Sequence, residues 1–279
     1  MNTKQCWHVP EAKRRPGWIS VFLISTLCLD TLACRNSSNN PQATGDAAVT
    51  ASSETKETAS SSLPNVAVPD DDNNRPKTVE EVVRQVENGV VLFKTFNSQG
   101  KPLGSGTGFA LDSSGRIATN FHIFRYAHSA TVEFHDKSTA RVDGLVAWDV
   151  QSDLAIAQLE SATHPLTALR LSESTDRPNG MSVIAIGHPQ GLKFTTTTGI
   201  LSAAHQTSEL PNPIRQAMRS PDTNIWLQTT AVIDGGSSGG PLLDGTGSVI
   251  GINTMTNRRF SFSVDVRHLR QLQEEFPTS

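Results

Sequence analysis

The chain has 279 residues, of which 36% are hydrophobic, 18% charged and 6% aromatic, and its formal net charge is -3. So low a hydrophobic share predicts that part of the chain does not pack, and the acidic balance excludes a protein built mainly to coat nucleic acid. The three cysteines, Cys6, Cys28 and Cys34, all lie near the N-terminus. Disulfides, zinc–cysteine clusters and thiol catalysis are therefore excluded for the rest of the chain.

The N-terminus has the features of a secretory signal. A basic cluster at 13–15 precedes an apolar run at 18–29, which is shorter than the about 20 residues that span a bilayer. The following Thr-Leu-Ala-Cys resembles a bacterial lipobox, whose cysteine is lipidated after cleavage. We therefore predict a signal peptide at 1–33 and a lipid on Cys34, which would anchor the chain in the periplasm or cell envelope. Cleavage without lipidation and an uncleaved signal anchor are the alternatives.

Residues 34–76 have the composition of a linker. After Cys34 this segment has one leucine, no isoleucine and no aromatic residue, and it is rich in Ser, Asn, Thr, Asp and Pro. It has too little apolar area to offset the entropy of ordering its backbone. We predict a disordered linker here and a folded domain at 77–279.

The folded domain is predicted to be all-β with a helix at each end. Thr78 and Glu81 form a capping box before a valine-rich helix that ends at Asn88-Gly89. Short apolar runs separated by turn residues then predict an all-β barrel or sandwich, and residues 266–276 predict a closing helix. Beyond the runs at 90–93, 108–111 and 117–119, strands are expected at 131–134, 141–147, 154–159, 182–187, 195–202, 226–230, 248–253 and 260–265. The polar segment 204–225 is expected to be a mobile loop.

A glycine- and serine-rich segment at 234–241 carries the strongest chemical signal. A flexible linker would have this composition, but the segment lies between two apolar runs that are typical of core strands. Glycines before a serine let backbone N–H groups turn toward one point and form an oxyanion hole. We therefore predict Ser238 as a nucleophile, with the oxyanion hole formed at Gly236, Ser237 and Ser238.

A serine nucleophile needs a histidine base and an acid that orients it. His122 is the best candidate for the base, because an apolar strand delivers it to the start of a loop. Asp149 and Asp153 both precede the strand at 154–159, and spacing alone does not choose between them. A metal site formed by His122, His128 and His135 has unsuitable spacing, so we predict no metal and no cofactor.

Several segments, taken in chain order, resemble one family. They are similar to trypsin-like serine proteases of the chymotrypsin fold, of the HtrA/Deg type, and the resemblance covers about residues 78–275. The matching segments are Gly-Ser-Gly-Thr-Gly-Phe at 104–109, Thr-Asn-Phe-His at 119–122, Ser-Asp-Leu-Ala at 152–155, 185–192, 198–203, Gln-Thr at 228–229, Gly-Ser-Ser-Gly-Gly at 236–240 and Gly-Ile-Asn-Thr at 251–254.

The resemblance implies a fold and a complete catalytic set. The fold would be two six-stranded antiparallel β-barrels of the chymotrypsin type, and the triad would be His122, Asp153 and Ser238. The chain departs from the family at three positions, with Thr230 where the family usually has Asp, Ser237 where it has Asn, and His188 where it has Asn. The PDZ domains that often follow in the family are not expected here.

The resemblance also implies how substrates would bind. The pocket for the residue before the cleaved bond would involve Val232, the position six before the nucleophile, together with Ile233, Asn253 and Thr254. With no carboxylate at Val232, we expect cleavage after small or medium apolar residues. Polypeptides are the expected partners, and a homotrimer is typical of the family. The alternative function is a catalytically weak module of the protease fold that binds unfolded or partner polypeptides.

Overall fold

The computed structural model describes residues 77–161, 164–189, 192, 194–257 and 260–276. The predicted signal peptide, Cys34 and the predicted linker lie outside these residues. Among the described residues the expected architecture is confirmed, because the strands form two closed antiparallel barrels with a helix at each end.

The first barrel contains the strands of the N-terminal half. Its neighbours follow the order β1-β2-β3-β6-β5-β4, and every pair is antiparallel. The bounds are β1 Val90–Phe96, β2 Pro102–Ala110, β3 Arg116–Thr119, β4 Ser129–Glu133, β5 Thr139–Asp149 and β6 Leu154–Leu159.

The second barrel repeats this arrangement in the C-terminal half. Its neighbours follow the order β10-β11-β12-β9-β8-β7, again all antiparallel. The bounds are β7 Ser182–Gly187, β8 Thr195–Gln206, β9 Ile225–Thr229, β10 Pro241–Leu243, β11 Val249–Asn257 and β12 Phe260–Asp265.

In the described part of the chain three α-helices accompany the barrels: α1 Val79–Val86, α2 Asn212–Met218 and α3 Val266–Glu275. The predicted capping box is present at α1, where Thr78 accepts from the Glu81 amide and the Glu81 side chain accepts from the Thr78 amide. In α3 the side chain of Asp265 caps the first turn. No helix in the described parts of the chain is long and apolar enough to cross a membrane.

The buried apolar residues that the structure describes form three clusters. One fills the first barrel around Phe93 and Ile117, and another lies in the second barrel around Leu201 and Leu227. The third contains residues from both barrels and from α1 and α3, and it includes Phe109 and Trp226. The two barrels therefore share buried surface, which fixes the loops at their junction relative to each other.

The expectation of a loop at 204–225 is wrong for most of this segment. Strand β8 continues to Gln206, a 3-10 turn covers Thr207–Glu209, and α2 follows. Thr207 is fully buried, and its hydroxyl accepts from the indole N–H of Trp226 at 3.0 Å. A polar composition indicated a loop, but buried partners from β9 hold this segment.

Candidate active site

Strand pairing brings the predicted histidine and one of the two candidate acids together. Strands β3 and β6 are antiparallel, with Thr119 opposite Ala155. The residues that follow β3 therefore lie beside those that precede β6. His122 sits in a 3-10 turn just after β3, and Asp153 directly precedes β6. Asp149 lies at the end of β5, where its side chain accepts from the Gln151 amide.

Asp153 holds the histidine with both carboxylate oxygens. Its Oδ1 accepts from the backbone N–H of His122 at 2.8 Å, and its Oδ2 lies 2.6 Å from His122 Nδ1. A carboxylate only accepts, so the ring proton is assigned to Nδ1, which leaves a lone pair on Nε2. Asp153 has φ 55, a left-handed conformation that aspartate tolerates better than most residues. This backbone geometry is a feature that sequence spacing did not indicate.

The loop of the predicted nucleophile packs on strand β2. The Thr107 amide donates to the Ser238 carbonyl at 2.8 Å, and the Thr107 hydroxyl donates to the Gly236 carbonyl at 2.7 Å. Gly239 has φ 86, and a Cβ there would lie 2.1 Å from the Thr107 carbonyl oxygen. Only glycine allows this close approach. The glycines therefore let the loop of the second barrel touch the first.

Two amides of this loop are suited to receive an oxyanion. The amides of Gly236 and Ser238 donate to no other group within the described residues. Gly236 has φ 103, so it also requires the freedom of glycine. Ser237 differs from our expectation, because its amide donates to the Asp234 carbonyl at 2.9 Å. Its buried side chain instead packs against Gly187.

The hydroxyl of Ser238 has a partner other than the histidine. It donates to the Thr254 carbonyl at 3.1 Å, and no hydrogen bond to His122 occurs among the described residues. The Thr254 hydroxyl in turn accepts from Asn120 Nδ2 at 3.1 Å, and Asn120 Nδ2 also donates to the Asp153 carbonyl. Asn120 thus connects the acid to the serine's neighbour, a role that the sequence analysis missed.

A cavity of about 260 Å³ lies behind the loop. Val232 and Asn253, two of the four predicted pocket residues, line it, whereas Ile233 belongs to the core of the second barrel. Thr254 is not among the lining residues. Asp234 adds a carboxylate that the sequence analysis did not consider. The other lining residues are mostly apolar or small: Ala185, Ile186, Gly187, Pro189, Leu192, Thr195, Thr197 and Ser237.

The structure offers no alternative metal centre in the part of the chain that it describes. No group of three or more His, Cys, Asp or Glu side chains there is placed to hold a metal ion. His135 instead contacts the ring of Phe194, and His122 is bonded to Asp153.

Comparisons with known proteins show which family the chain belongs to. The family described as "Trypsin-like peptidase domain" matches residues 106–252, more than half of the chain. The chain belongs to the trypsin-like peptidase family. The matched range includes His122, Asp153 and Ser238, so all three side chains lie within the trypsin-like peptidase domain.

Its relatives are proteases of the HtrA/Deg type. "Protease Do-like 1, chloroplastic" of Arabidopsis thaliana is 38% identical over 55% of this chain and 33% of its own length. "Serine protease HTRA1" of Xenopus tropicalis is 32% identical over 74% and 45%. "Putative serine protease HhoB" of Synechocystis is 35% identical over 57% and 36%. The chain thus matches between a third and a half of the length of these relatives.

Two buried residues of the trypsin-like peptidase domain contact the site but were not predicted from the sequence to belong to it. Thr107 was read only as part of a glycine-rich strand, and His188 only as a departure from the family. In the structure both are fully buried, and His188 Nδ1 lies 3.0 Å from Thr107 Oγ1. Histidine at a position where the family usually has asparagine was the available signal, but its partner is 81 residues away.

Proposed function

We propose that the chain is a serine endopeptidase in which Ser238, His122 and Asp153 form the triad. The observation that carries this proposal is the double hydrogen bond from His122 to Asp153. It fixes the ring orientation and leaves Nε2 able to accept a proton, which is what a general base requires. The glycine-rich loop supplies the nucleophile and two available amides nearby in sequence.

The reaction would be acyl transfer. The Ser238 hydroxyl turns from the Thr254 carbonyl toward His122 Nε2 and gives up its proton as Oγ bonds to the substrate carbonyl carbon. Asp153 stabilises the charged imidazole, and the amides of Gly236 and Ser238 receive the oxyanion. The histidine then protonates the leaving amine as the C–N bond breaks. Water hydrolyses the acyl-enzyme in the reverse sequence of proton transfers.

The cavity behind the loop is proposed to receive the side chain before the cleaved bond. Its lining is mainly apolar, with Val232 more than half exposed, so small and medium apolar side chains are the favoured class. Digestion of a denatured protein library tests this preference. Cleavage mainly after Lys or Arg would contradict it and would point to Asp234 as the selecting group.

Ser238→Ala tests the nucleophile. The wild type should cleave casein and react with a fluorophosphonate probe, whereas Ser238→Ala should do neither while it keeps the wild-type melting temperature. Ser237→Ala is the matched control, because it removes the adjacent hydroxyl and leaves Ser238 in place. Equal labelling of Ser238→Ala and the wild type would overturn the assignment.

A binding module is the second candidate. The observation that favours it is the Ser238 hydroxyl donating to the Thr254 carbonyl instead of to the histidine. Catalytic hydrogen bonds often form only in the substrate complex, so we rank this candidate second. A wild type that never reacts with the probe, yet suppresses aggregation of an unfolded protein, would establish it.

We also propose that the protein acts outside the cytoplasm, in protein quality control, with a lipid on Cys34 and a signal peptide at 1–33. The support is the sequence pattern and the resemblance to HtrA/Deg proteases. Intact mass of the membrane-extracted protein should include a lipid addition that Cys34→Ser lacks. Sedimentation equilibrium tests the homotrimer that is typical of the family.

A further inference from the structure

The amide, the carbonyl and the hydroxyl of Thr107 each make a hydrogen bond. Its amide donates to the Ser238 carbonyl, and its own carbonyl accepts from the Thr119 hydroxyl at 2.6 Å. Its hydroxyl donates to the Gly236 carbonyl at 2.7 Å. Thr107 is fully buried, so these bonds form away from water and are costly to break. One residue of the first barrel therefore holds two carbonyls of the loop that carries the nucleophile.

The two carbonyls belong to the residues whose amides we assign to the oxyanion hole. The backbone at Gly236 has φ 103, where glycine is free to rotate and no Cβ restrains it. A hydrogen bond to the Gly236 carbonyl fixes the peptide plane between Gly236 and Ser237. The preceding plane, which carries the Gly236 N–H, can then turn only by rotation about the φ and ψ angles of Gly236, so its freedom is reduced. Without this hydrogen bond, the loop would have to be ordered at each turnover, which preorganised donors avoid.

The hydrogen bond from the Thr107 hydroxyl to the Gly236 carbonyl assigns the proton on His188. A hydroxyl has one proton, and the Thr107 hydroxyl donates it to the Gly236 carbonyl. At the 3.0 Å contact with His188 Nδ1, the Thr107 oxygen must therefore accept, and Nδ1 must carry the proton. The ring of Phe194 makes an edge contact with the same imidazole, with ring centroids 4.5 Å apart.

We propose that Thr107 and His188 are positioning residues that hold the oxyanion loop in its anion-binding form, through the chain His188 Nδ1–H to Thr107 Oγ–H to the Gly236 carbonyl. This inference rests on the proposed function. Neither side chain touches the substrate. Histidine replaces the asparagine usual in the family, and both can donate one N–H to the threonine oxygen.

Thr107→Val is the main test, because it keeps the shape of the side chain and removes its donor. Labelling with a fluorophosphonate to completion counts the active sites, and turnover of a peptide substrate is then expressed per labelled site. We expect kcat per site to fall by about 10- to 100-fold, less than or near the loss of one oxyanion donor, with KM changed little. Thr107→Ser should recover most of the kcat.

Thr95→Val is the matched control. Thr95 is also buried in the first barrel, and its hydroxyl donates to a carbonyl, that of Gly104. A purely structural role of Thr107 would lower the number of labelled sites and leave kcat per site unchanged, as we expect for Thr95→Val. Unchanged kcat per site in Thr107→Val would overturn the inference.

A second pair of variants tests His188 and serves if Thr107→Val does not fold. His188→Leu should lower kcat per site, and His188→Asn should restore it, because asparagine again supplies an N–H. Equal kcat per site in the two would overturn the role of His188. A wild type that neither cleaves nor labels would overturn the proposed function and this inference together. An active wild type with unaltered variants would overturn the inference alone.

Discussion

Replacing Asp153 with asparagine changes the proton on the histidine with little change of shape. Asp153 accepts two N–H groups of His122, the backbone amide at 2.8 Å and ring Nδ1 at 2.6 Å. Asparagine has one oxygen and one NH₂ at these positions. The backbone amide only donates, so the asparagine oxygen should face it. The NH₂ then points at Nδ1.

That exchange removes the base. An NH₂ facing Nδ1 stabilises the tautomer with the proton on Nε2, which is then unable to accept the proton of Ser238. We expect kcat to fall by about 10⁴, as is found for this substitution in serine protease triads, which corresponds to about 5.4 kcal/mol of transition-state stabilisation. The assay is hydrolysis of an apolar peptide substrate near neutral pH, with the melting temperature measured in parallel.

Asp149→Asn is the control, because Asp149 was the alternative acid on sequence spacing. Within the described residues its carboxylate accepts from the Gln151 amide, which an asparagine oxygen can also do, so kcat should stay within about twofold. A loss in Asp149→Asn equal to that in Asp153→Asn would refute the assignment of the acid. A kcat of Asp153→Asn that is about 10% of the wild-type value or more would refute the tautomer reasoning.

Three further predictions concern stability. Gly239→Ala should lower the free energy of unfolding by about 2 kcal/mol or more, because its Cβ would meet the backbone of β2 at 2.1 Å in a positive-φ conformation. Gly235→Ala is the control, since no atom lies near its Cβ. In urea titrations it should change the free energy of unfolding by about 0.5 kcal/mol or less. Burial lowers the pKa of His268 below its usual 6.5, and its Nε2 accepts from the Ile225 amide. As pH falls below about 6.5, the unfolded chain therefore binds a proton at His268 before the folded chain does, and the free energy of unfolding declines. His268→Gln should show a smaller difference in the free energy of unfolding between about pH 7.5 and 5.5 than the wild type. An unchanged difference would contradict this prediction. Thr78→Ala should cost about 1 kcal/mol through loss of the capping box, measured by thermal unfolding; no loss of stability would show that α1 is held by packing alone.

Local pattern was sufficient for most of the fold. The strands at 154–159, 182–187 and 260–265 have the bounds that their apolar runs predicted. The capping box at Thr78 and the closing helix at 266–275 also follow the sequence. These elements are encoded by neighbouring residues, because caps and alternating burial act over a few positions.

The segment 204–225 shows where local pattern failed. Its polar residues are typical of a loop, yet Thr207 and Asn224 are buried. Their partners lie in other elements, since Asn224 Nδ2 donates to the Ser152 hydroxyl, 72 residues away. Composition does not report such partners, so the helix and turn in this segment were not predicted.

The sequence by itself determined which residues could do the chemistry: a serine in a glycine-framed segment, a histidine at a strand end, two candidate acids and no cysteine in the folded part. The family resemblance implied Asp153 as the acid, but only the tertiary structure shows Asp153 bonded to His122, because the pairing of β3 with β6 puts the residue before β6 beside the residues after β3. Only the tertiary structure shows that the Ser237 amide donates to the Asp234 carbonyl and that hydrogen bonds join His188, Thr107 and the Gly236 carbonyl. These bonds connect residues 81 and 129 positions apart. Such contacts depend on how the two barrels close and pack together, and no local pattern encodes that.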